Sequence, residues 1–293
     1  ALSNGGKIFI KAGVYDLTST LSIPKDDICI EGEGMGTILI TSIPTLTLIL
    51  FGDPNYVIGH RNLQIRNLKV DSAVTKTAGS GIEFRAIQQI DTLRTSLSGV
   101  FNVEIENQWD GLVIRGGTGL WVDHVNVLYS LNRGIAVDSV HNDQIRLTNI
   151  EIDGNKYEDT VHESATCGIQ LSQVFNVFLT NVHSTSSSIG LYILGNSGES
   201  AGSMFISNSS FSDNRDQGVY IYQNQNAYLV GVYFNNCQFA TNGHLYAPIT
   251  LARGVSISKS GTGTVEGFYF TQCNFFQNGG HGILIGPDNV EIE

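Results

Sequence analysis

The sequence predicts an all-β protein, a right-handed parallel β-helix of about ten coils wound around one narrow apolar core. A strand motif that begins with glycine recurs, a second motif that contains asparagine lies between its copies, and no helical stretch separates the short strands. Each strand alternates apolar and polar residues, so one face must be covered, and a chain that coils on itself covers it. Residues 1–293 are therefore expected to form a single β-helix domain.

The first motif reads Gly-apolar-x-apolar and marks one strand of each coil. Seven steps separate its first copy from its last, and the mean step is about 29 residues. The steps vary from 22 to 36 residues, which places the extra residues in the turns, where insertions cost little stability. The copies begin at Gly81, Gly111, Gly134, Gly168, Gly190, Gly218, Gly254 and Gly282.

The second motif places an amide side chain between two apolar positions. An amide both donates and accepts hydrogen bonds, so copies on successive coils are expected to form a ladder along the stack at a turn. His124 takes this position in one coil. The amide copies are Asn67, Asn149, Asn181, Asn208, Asn236 and Gln272.

Several repeat positions predict how the core is filled. Phe211, Phe239 and Phe275 fall at the same inward position of three successive coils. Coils lie about 4.8 Å apart, so these rings are expected to stack inside the core. Cys237 and Cys273 also occupy equivalent positions, and stacked buried thiols are favoured over a disulfide. The four cysteines show no CxxC spacing, which argues against a zinc site.

Composition excludes some partners. The net charge is −11, from 16 basic and 27 acidic residues, and no basic patch is present to bind nucleic acid or an anionic membrane. No apolar run reaches the roughly 18 residues that a membrane-spanning helix needs, so no membrane insertion is expected. The first residues are expected to lie inside a structural unit, and Asn289–Glu293 resemble a strand cut off midway, so we expect a fragment of a longer polypeptide.

The opening segment carries a family resemblance. Gly5–Tyr15, read with Ile28–Gly34, resembles the entry coil of the pectate-lyase-3-like superfamily, which includes phage tailspikes and polygalacturonase-related hydrolases. The resemblance implies a right-handed coil, often a homotrimer, and a cell-surface or extracellular polysaccharide as ligand. An extracellular or virion-surface location goes with it. A shared fold does not by itself fix the reaction.

One short segment is similar to a catalytic motif of polygalacturonases. Gly280-His281-Gly282 matches their Gly-His-Gly motif, but those enzymes also carry aspartates on the two preceding coils. Here those coils offer Tyr220 and Tyr222, then Ser256 and Ser258. Because the convergent acids are missing, we favour an ordinary strand repeat over a catalytic role for His281.

The outward positions of the first strand predict a sugar-binding surface. Aromatic rings and hydrogen-bonding groups recur there in one exposed column, and they suit the apolar faces and the hydroxyls of a sugar chain. A solvated sheet face with tyrosines as good strand formers is the alternative. The predicted substrate-binding residues are Arg115, Tyr192, Tyr220 and Tyr222. Glu83, Arg85, Asp138, Gln170 and Ser172 complete the column.

The outward positions of the second strand form another column, which is rich in aromatic residues. Soluble monomers rarely leave so continuous an apolar stripe exposed, so we expect a subunit contact, and a homotrimer matches the resemblance to tailspikes. The column is read as Glu104, Trp121, Arg146, Phe178, Phe205, Tyr233 and Tyr269.

Glycoside cleavage usually needs two carboxylates, and three residues are the catalytic candidates. Asp138 lies on the first-strand face, one coil from Arg115. Asp153 and Glu163 flank the densest acidic cluster, an insertion within a step of 34 residues that is expected to overhang this face. A solvated loop is one alternative. A calcium site with oxygens from Asp153, Asn155 and Asp159 is another, but the full metal-loop pattern is absent, and we predict neither a metal nor a cofactor.

Two functions remain open from the sequence. The first is an enzyme that cuts a surface polysaccharide by hydrolysis or elimination. The second is a non-catalytic fibre, adhesin or receptor-binding protein. A lyase normally needs a basic residue near a uronate, and the scarcity of basic residues inferred for the first-strand face favours hydrolysis.

Overall fold

A computed structural model of the chain describes residues 5–53, 55, 59–87, 98–138, 142–153, 167–196, 200–224, 226–243, 252–260 and 262–286. These residues form strands, bridges and turns. In chain order the strands are β1 Gly6–Ile10, β2 Gly13–Asp16, β3 Leu21–Ile23, β4 Ile28–Gly32, β5 Thr37–Ile40, β6 Ile49–Gly52, β7 Gln64–Val70, β8 Ser80–Ile87, β9 Ser98–Glu106, β10 Asp110–Gly117, β11 Leu120–Leu128, β12 Arg133–Asp138 and β13 Asn142–Asp143. They continue as β14 Arg146–Asp153, β15 Cys167–Ser172, β16 Val174–Ser184, β17 Ile189–Gly195, β18 Ser200–Ser207, β19 Ser210–Ser212, β20 Gln217–Asn224, β21 Tyr228–Asn235, β22 Gln238–Ala240, β23 Arg253–Ser260, β24 Val265–Thr271, β25 Asn274–Phe276 and β26 Ile283–Ile285.

The strands form two parallel sheets that coil around one core. Sheet A has 16 strands, and its main path runs β1-β4-β7-β9-β11-β14-β16-β18-β21-β24. Sheet B has ten strands, from β3 through β6, β8, β10, β12, β15, β17, β20 and β23 to β26. Successive coils add one strand to each path, so the prediction of about ten parallel coils is confirmed. The first motif forms sheet B, and the second motif lies in sheet A.

On the main path of sheet A the strands from β7 to β24 have 7 to 11 residues, longer than the short strands that we predicted, because the chain bends without leaving the sheet. The amide position of the second motif adopts the left-handed backbone conformation in coil after coil, with φ of 56° at Asn67 and 55° at Asn181. Asparagine tolerates this conformation better than most residues. Pairing continues on both sides of the bend, and β16 reaches 11 residues.

The predicted amide ladder is confirmed at these bends. Asn181 Nδ2 donates to Asn149 Oδ1 at 2.8 Å, and Asn236 Nδ2 donates to Asn208 Oδ1 at 2.8 Å. A second amide ladder lies inside the turns that lead into sheet B, where Asn214 Nδ2 donates to Asn242 Oδ1 at 3.1 Å. The motif glycines make room for it, because a Cβ at Gly218 would lie 2.7 Å from Asn242 Nδ2.

The core is apolar and carries the predicted ring stack. Phe211 and Phe239 stack with centroids 6.0 Å apart, and Phe239 and Phe275 stack at 4.8 Å. Cys237 is buried, and burial raises the pKa of its thiol to about 11, so the thiol stays protonated near neutral pH. All four cysteines are free, in agreement with the preference for thiols over a disulfide.

None of the described residues forms a helix with the length and apolar character that a membrane crossing requires.

Candidate functional site

The outer face of sheet B resolves into two neighbouring columns rather than the single exposed column predicted. Glu83 begins the first column, and Arg85 begins the second. Glu83 and Ser172 are buried, because Arg85 and Arg115 contact Glu83 and Asn196 donates to Ser172. The first column continues through Val113, Ala136, Gln170, Tyr192, Tyr220 and Ser256. The second contains Arg115, Asp138, Ser172, Leu194, Tyr222 and Ser258.

Oppositely charged side chains join three successive coils at one end of this face. We call the connected set of Glu83, Arg85, Asp110, Arg115, Arg133 and Asp138 the charge network. Arg115 lies at its centre, with Nη1 3.2 Å from Glu83 Oε1 and Nε 3.0 Å from Asp138 Oδ1. Arg115 and Asp138, which the sequence placed one coil apart on this face, are therefore in direct contact.

Arg133 anchors the other side of the charge network. Its Nε and Nη2 donate to the two carboxylate oxygens of Asp110 at 2.9 and 2.7 Å, and its Nη1 donates to Asp138 Oδ2 at 2.9 Å. Burial alone would lower the pKa of Arg133, but the hydrogen bond and charge of Asp110 outweigh it and raise the pKa. The guanidinium therefore remains charged at any physiological pH.

The carboxylates of the charge network accept hydrogen bonds on both oxygens. Asp138 accepts a hydrogen bond from Arg115 on Oδ1 and one from Arg133 on Oδ2, and 22% of its side chain is exposed. Asp110 is almost fully buried and also accepts from Asn132 at 2.9 Å. These partners suit Asp138 to act as a fixed negative charge or an attacking oxygen rather than as a proton donor.

Tyrosines occupy the same face at the other end. Tyr192 and Tyr220 stack with centroids 5.3 Å apart and an interplanar angle of 5°, and Tyr222 stacks against Tyr220 at 5.7 Å. Because the rings cover one another, they present edges and hydroxyl groups to a ligand rather than open faces. Tyr222 Oη donates to Ser260 Oγ at 2.8 Å. Burial raises the pKa of Tyr192, which keeps its hydroxyl neutral.

The structure does not bring Asp153 into this network. Asp153 ends β14 in sheet A, where its exposed carboxylate accepts a hydrogen bond from Thr185 Oγ1 at 3.1 Å. Glu163 lies outside the described residues, as do the calcium candidates Asn155 and Asp159. Within the described part of the chain, no group of three or more His, Cys, Asp or Glu side chains is placed to hold a metal ion.

Arg133 is the main site residue that the sequence analysis missed. Asp110 and Arg133 each stand directly before a motif glycine on successive coils, and opposite charges at one repeat position were the available signal. The inferred scarcity of basic residues on this face was wrong, because Arg85, Arg115 and Arg133 all lie on it. The preference for hydrolysis over elimination loses that support.

Two other sequence readings can be placed. His281 is exposed in the last described coil, where the preceding coils present Tyr220, Tyr222, Ser256 and Ser258, as expected. In sheet A the outward column that was predicted to begin at Glu104 passes through Gly99 and Trp121 instead. Glu104 pairs five residues further along β9 and β11, with Asn126, and binds Lys69 at 3.1 Å.

A family model described as a right-handed β-helix region matches residues 100–293, more than half of the chain. The chain belongs to the right-handed β-helix family. The resemblance to the pectate-lyase-like superfamily is confirmed at the level of the fold. No curated protein matches this chain in sequence.

Solved β-helix structures resemble the chain at low sequence identity. The A-module of mannuronan C-5 epimerase AlgE6 from Azotobacter vinelandii is 14% identical with a TM-score of 0.61, and the match covers 98% of this chain and 92% of the epimerase module. The enzymatically active domain of tailspike protein 2 from bacteriophage CBA120 is 15% identical with a TM-score of 0.62, and the match covers 90% of this chain and 38% of the tailspike chain. Endo-xylogalacturonan hydrolase from Aspergillus tubingensis is 14% identical with a TM-score of 0.53, and the match covers 99% of this chain and 91% of the hydrolase. At these identities the likeness shows the shared fold.

Proposed function

We propose that this chain is a carbohydrate-active β-helix that binds a cell-surface or extracellular polysaccharide on the outer face of sheet B and degrades it. One observation carries the proposal: charged, amide, phenolic and hydroxyl groups recur along this face from Glu83 in β8 to Ser256 in β23 without leaving the sheet. Seven coils from β8 to β23 form the strip. At about 4.8 Å per coil it is about 29 Å long, which suits an extended chain of several sugars.

The fold relatives support a polysaccharide ligand. An epimerase of mannuronan, a hydrolase of xylogalacturonan and a tailspike domain described as enzymatically active share the coil. A similar activity in this chain places it outside the cell or on a virion surface, where such polymers are found.

The catalytic part of the proposal assigns Asp138 and Glu163 to one site, and Asp153, which ends β14 in sheet A, is a separate candidate. Asp138 is the most exposed acid of the charge network. Glu163 lies four residues before Cys167 in the sequence, and Cys167 pairs in register with Arg133. Under this proposal Glu163 transfers the proton while Asp138 supplies the fixed charge or attacking oxygen that glycoside cleavage needs.

A non-catalytic binding protein is the second candidate. All three carboxylates of the charge network are paired with arginines, and such ion pairs can stabilise the sheet without taking part in catalysis. A fibre, adhesin or receptor-binding protein would use the same face for recognition alone.

A panel of bacterial surface polysaccharides separates the two candidates. The enzyme produces new reducing ends if it hydrolyses a polymer, or unsaturated sugars that absorb ultraviolet light if it eliminates. Binding to a polymer without either product assigns the protein to the non-catalytic class. Absence of both binding and cleavage across the panel contradicts the proposed function.

We further propose that the protein assembles as a homotrimer through an exposed aromatic stripe on sheet A, formed by Phe178, Phe205, Tyr233 and Tyr269. Their rings stack in sequence with centroids 5.3, 5.0 and 4.8 Å apart. Between 37% and 45% of each residue is exposed. So continuous an apolar ridge supports a contact between copies of the chain.

A further inference from the structure

Arg253 opens β23 at the tyrosine end of the sheet B face. Arg253 occupies the same register position as Asp110 and Arg133 of earlier coils. The coils between them place Cys167, Ile189 and Gln217 at this position. Arg253 is half-buried, and its Nη1 donates to Ser256 Oγ at 3.1 Å. Its Nε is buried, and no described residue accepts a hydrogen bond from it. The register neighbour one coil before, Gln217, has a buried Oε1 that receives no hydrogen bond from the described residues either.

Arg133 shows how an arginine at this register position binds a carboxylate through its Nε and Nη2. Its Nε and Nη2 hold both oxygens of Asp110, which lies one coil before it. At Arg253 the residue one coil before is Gln217, and among the described residues no carboxylate forms an ion pair with Arg253. Arginine presents these two donors in a planar fork that matches a carboxylate.

The lack of a carboxylate partner for Arg253 among the described residues does not reflect a shortage of acids. The chain holds 27 acidic residues against 16 basic ones, and the other arginines placed along this face, Arg85, Arg115 and Arg133, all contact carboxylates. A partly buried guanidinium without a counter-charge loses solvation and gains no ion pair in return. A ligand that supplies the carboxylate removes this cost.

We propose that Arg253, Gln217 and Ser256 form a subsite for the carboxylate of an acidic sugar, so that the polysaccharide of this protein contains uronic acids. Because Arg253 Nε and Gln217 Oε1 are buried, both side chains must turn outward when the ligand binds. The Nε–Nη2 edge of Arg253 then holds the carboxylate as Arg133 holds Asp110. Gln217 Oε1 accepts a hydrogen bond from a sugar hydroxyl. This inference rests on the proposed function, because it names the substrate class of the same face.

Matched polymers test the charge requirement directly. Binding is measured by isothermal titration calorimetry with polymannuronate and polygalacturonate, with the carboxyl-reduced form of each polymer, and with dextran sulfate. The subsite predicts at least tenfold tighter binding of one uronate polymer than of its reduced form. Dextran sulfate as the sole ligand would overturn the carboxylate assignment.

Three variants assign that preference to Arg253. Arg253→Gln should remove the preference for the acidic form, with at least a tenfold loss of affinity, and leave affinity for the reduced polymer unchanged. Arg253→Lys should retain part of it, because lysine supplies charge without the fork. Arg61→Gln, an equal charge change at an exposed site in an early coil, should change neither affinity. An unchanged unfolding midpoint in Arg253→Gln distinguishes binding from a structural role.

Failure of the uronate subsite and failure of the proposed function give different binding results. If the wild-type protein binds the reduced polymer as tightly as the acidic one, the uronate subsite is wrong and the proposed function stands. If Arg253→Gln loses affinity equally for both forms, or for neither, the subsite is also wrong. If the wild-type protein binds no polymer, here or in the surface-polysaccharide panel, both proposals fall.

Discussion

Single residues show how closely position in the coil determines environment. Phe239 and Phe276 both lie in sheet A, yet Phe239 is fully buried in the ring stack whereas 46% of Phe276 is exposed. Period-2 alternation predicted the inward position of Phe239 because one face of each strand must be buried. It did not predict Arg133, because a charged residue just before a glycine fits a turn as well as an ion pair.

Removal of the Phe239 ring should open a cavity in the core. We expect Phe239→Ala to lower the free energy of unfolding by about 3 to 5 kcal/mol, measured by chemical denaturation. Phe276→Ala is the matched control, with an expected change below about 1 kcal/mol because its ring is largely exposed. Equal losses in the two variants would contradict the assigned core.

Lys76 gives stability a pH dependence. It is buried, its Nζ donates to the carbonyls of Ile43 and Leu46, and burial lowers its pKa to about 8. Since the pKa in the unfolded chain is about 10.4, the unfolded state binds more protons between these values. Stability contributed at this site therefore rises as the pH increases from about 8 to 10.4.

The comparison of wild type with Lys76→Met isolates this effect, because methionine does not titrate. The free energy of unfolding of the wild type should increase relative to the variant by on the order of 1 to 3 kcal/mol across that pH window. Lys11→Met, at an exposed position, should show a constant difference from wild type. A constant difference for Lys76→Met as well would refute the lowered pKa.

The catalytic assignment is also tested at single residues. If a polysaccharide is cleaved, Glu163→Gln should lower turnover by roughly a hundredfold or more with binding nearly intact, because it removes the proposed proton donor. Asp138→Asn should also lower turnover, whereas Glu151→Gln, an exposed carboxylate in sheet A, should not. Full activity in Asp138→Asn, Asp153→Asn and Glu163→Gln would discard these three acids.

At the scale of elements, the two sheets divide the surface by chemistry. The outer face of sheet B carries charge and hydroxyl groups, and the aromatic stripe runs along sheet A. The sequence predicted the coils and the amide ladder because both follow from a repeating motif. Strand length was underestimated, because only φ at positions such as Asn181 shows that pairing continues around the bend.

The aromatic stripe makes a prediction about assembly. Phe205→Glu should place a charge in the proposed trimer contact and dissociate it, because an unpaired charge in an apolar interface is strongly unfavourable. Light scattering coupled to size exclusion should report a trimer for the wild type and for Phe276→Glu, an exposed aromatic outside the stripe. A monomeric wild-type protein would refute the assembly.

At the scale of the whole molecule, the repeat determines the fold but leaves the function to side chains that vary between coils. Arg115 and Asp138 were predicted to be neighbours because they occupy one column on adjacent coils. The pairing of Arg133 with Asp110 required the register of the folded sheet. Asp153 shares an acidic segment with Glu163 in the sequence, yet it is the last residue of β14 in sheet A, because the alternation of buried and exposed side chains in that strand continues through it.

The central claim is that the outer face of sheet B binds the polysaccharide. The most direct measurement is the affinity of Tyr222→Ala, Tyr222→Phe and the wild type for the polymer that the wild type binds, by isothermal titration calorimetry. We predict at least a tenfold loss for Tyr222→Ala and a smaller loss for Tyr222→Phe, because the stacked ring presents its edge and hydroxyl. Tyr228→Ala, an exposed tyrosine on sheet A, should bind like the wild type. Unchanged affinity in both Tyr222 variants, or an equal loss in Tyr228→Ala, would contradict the claim.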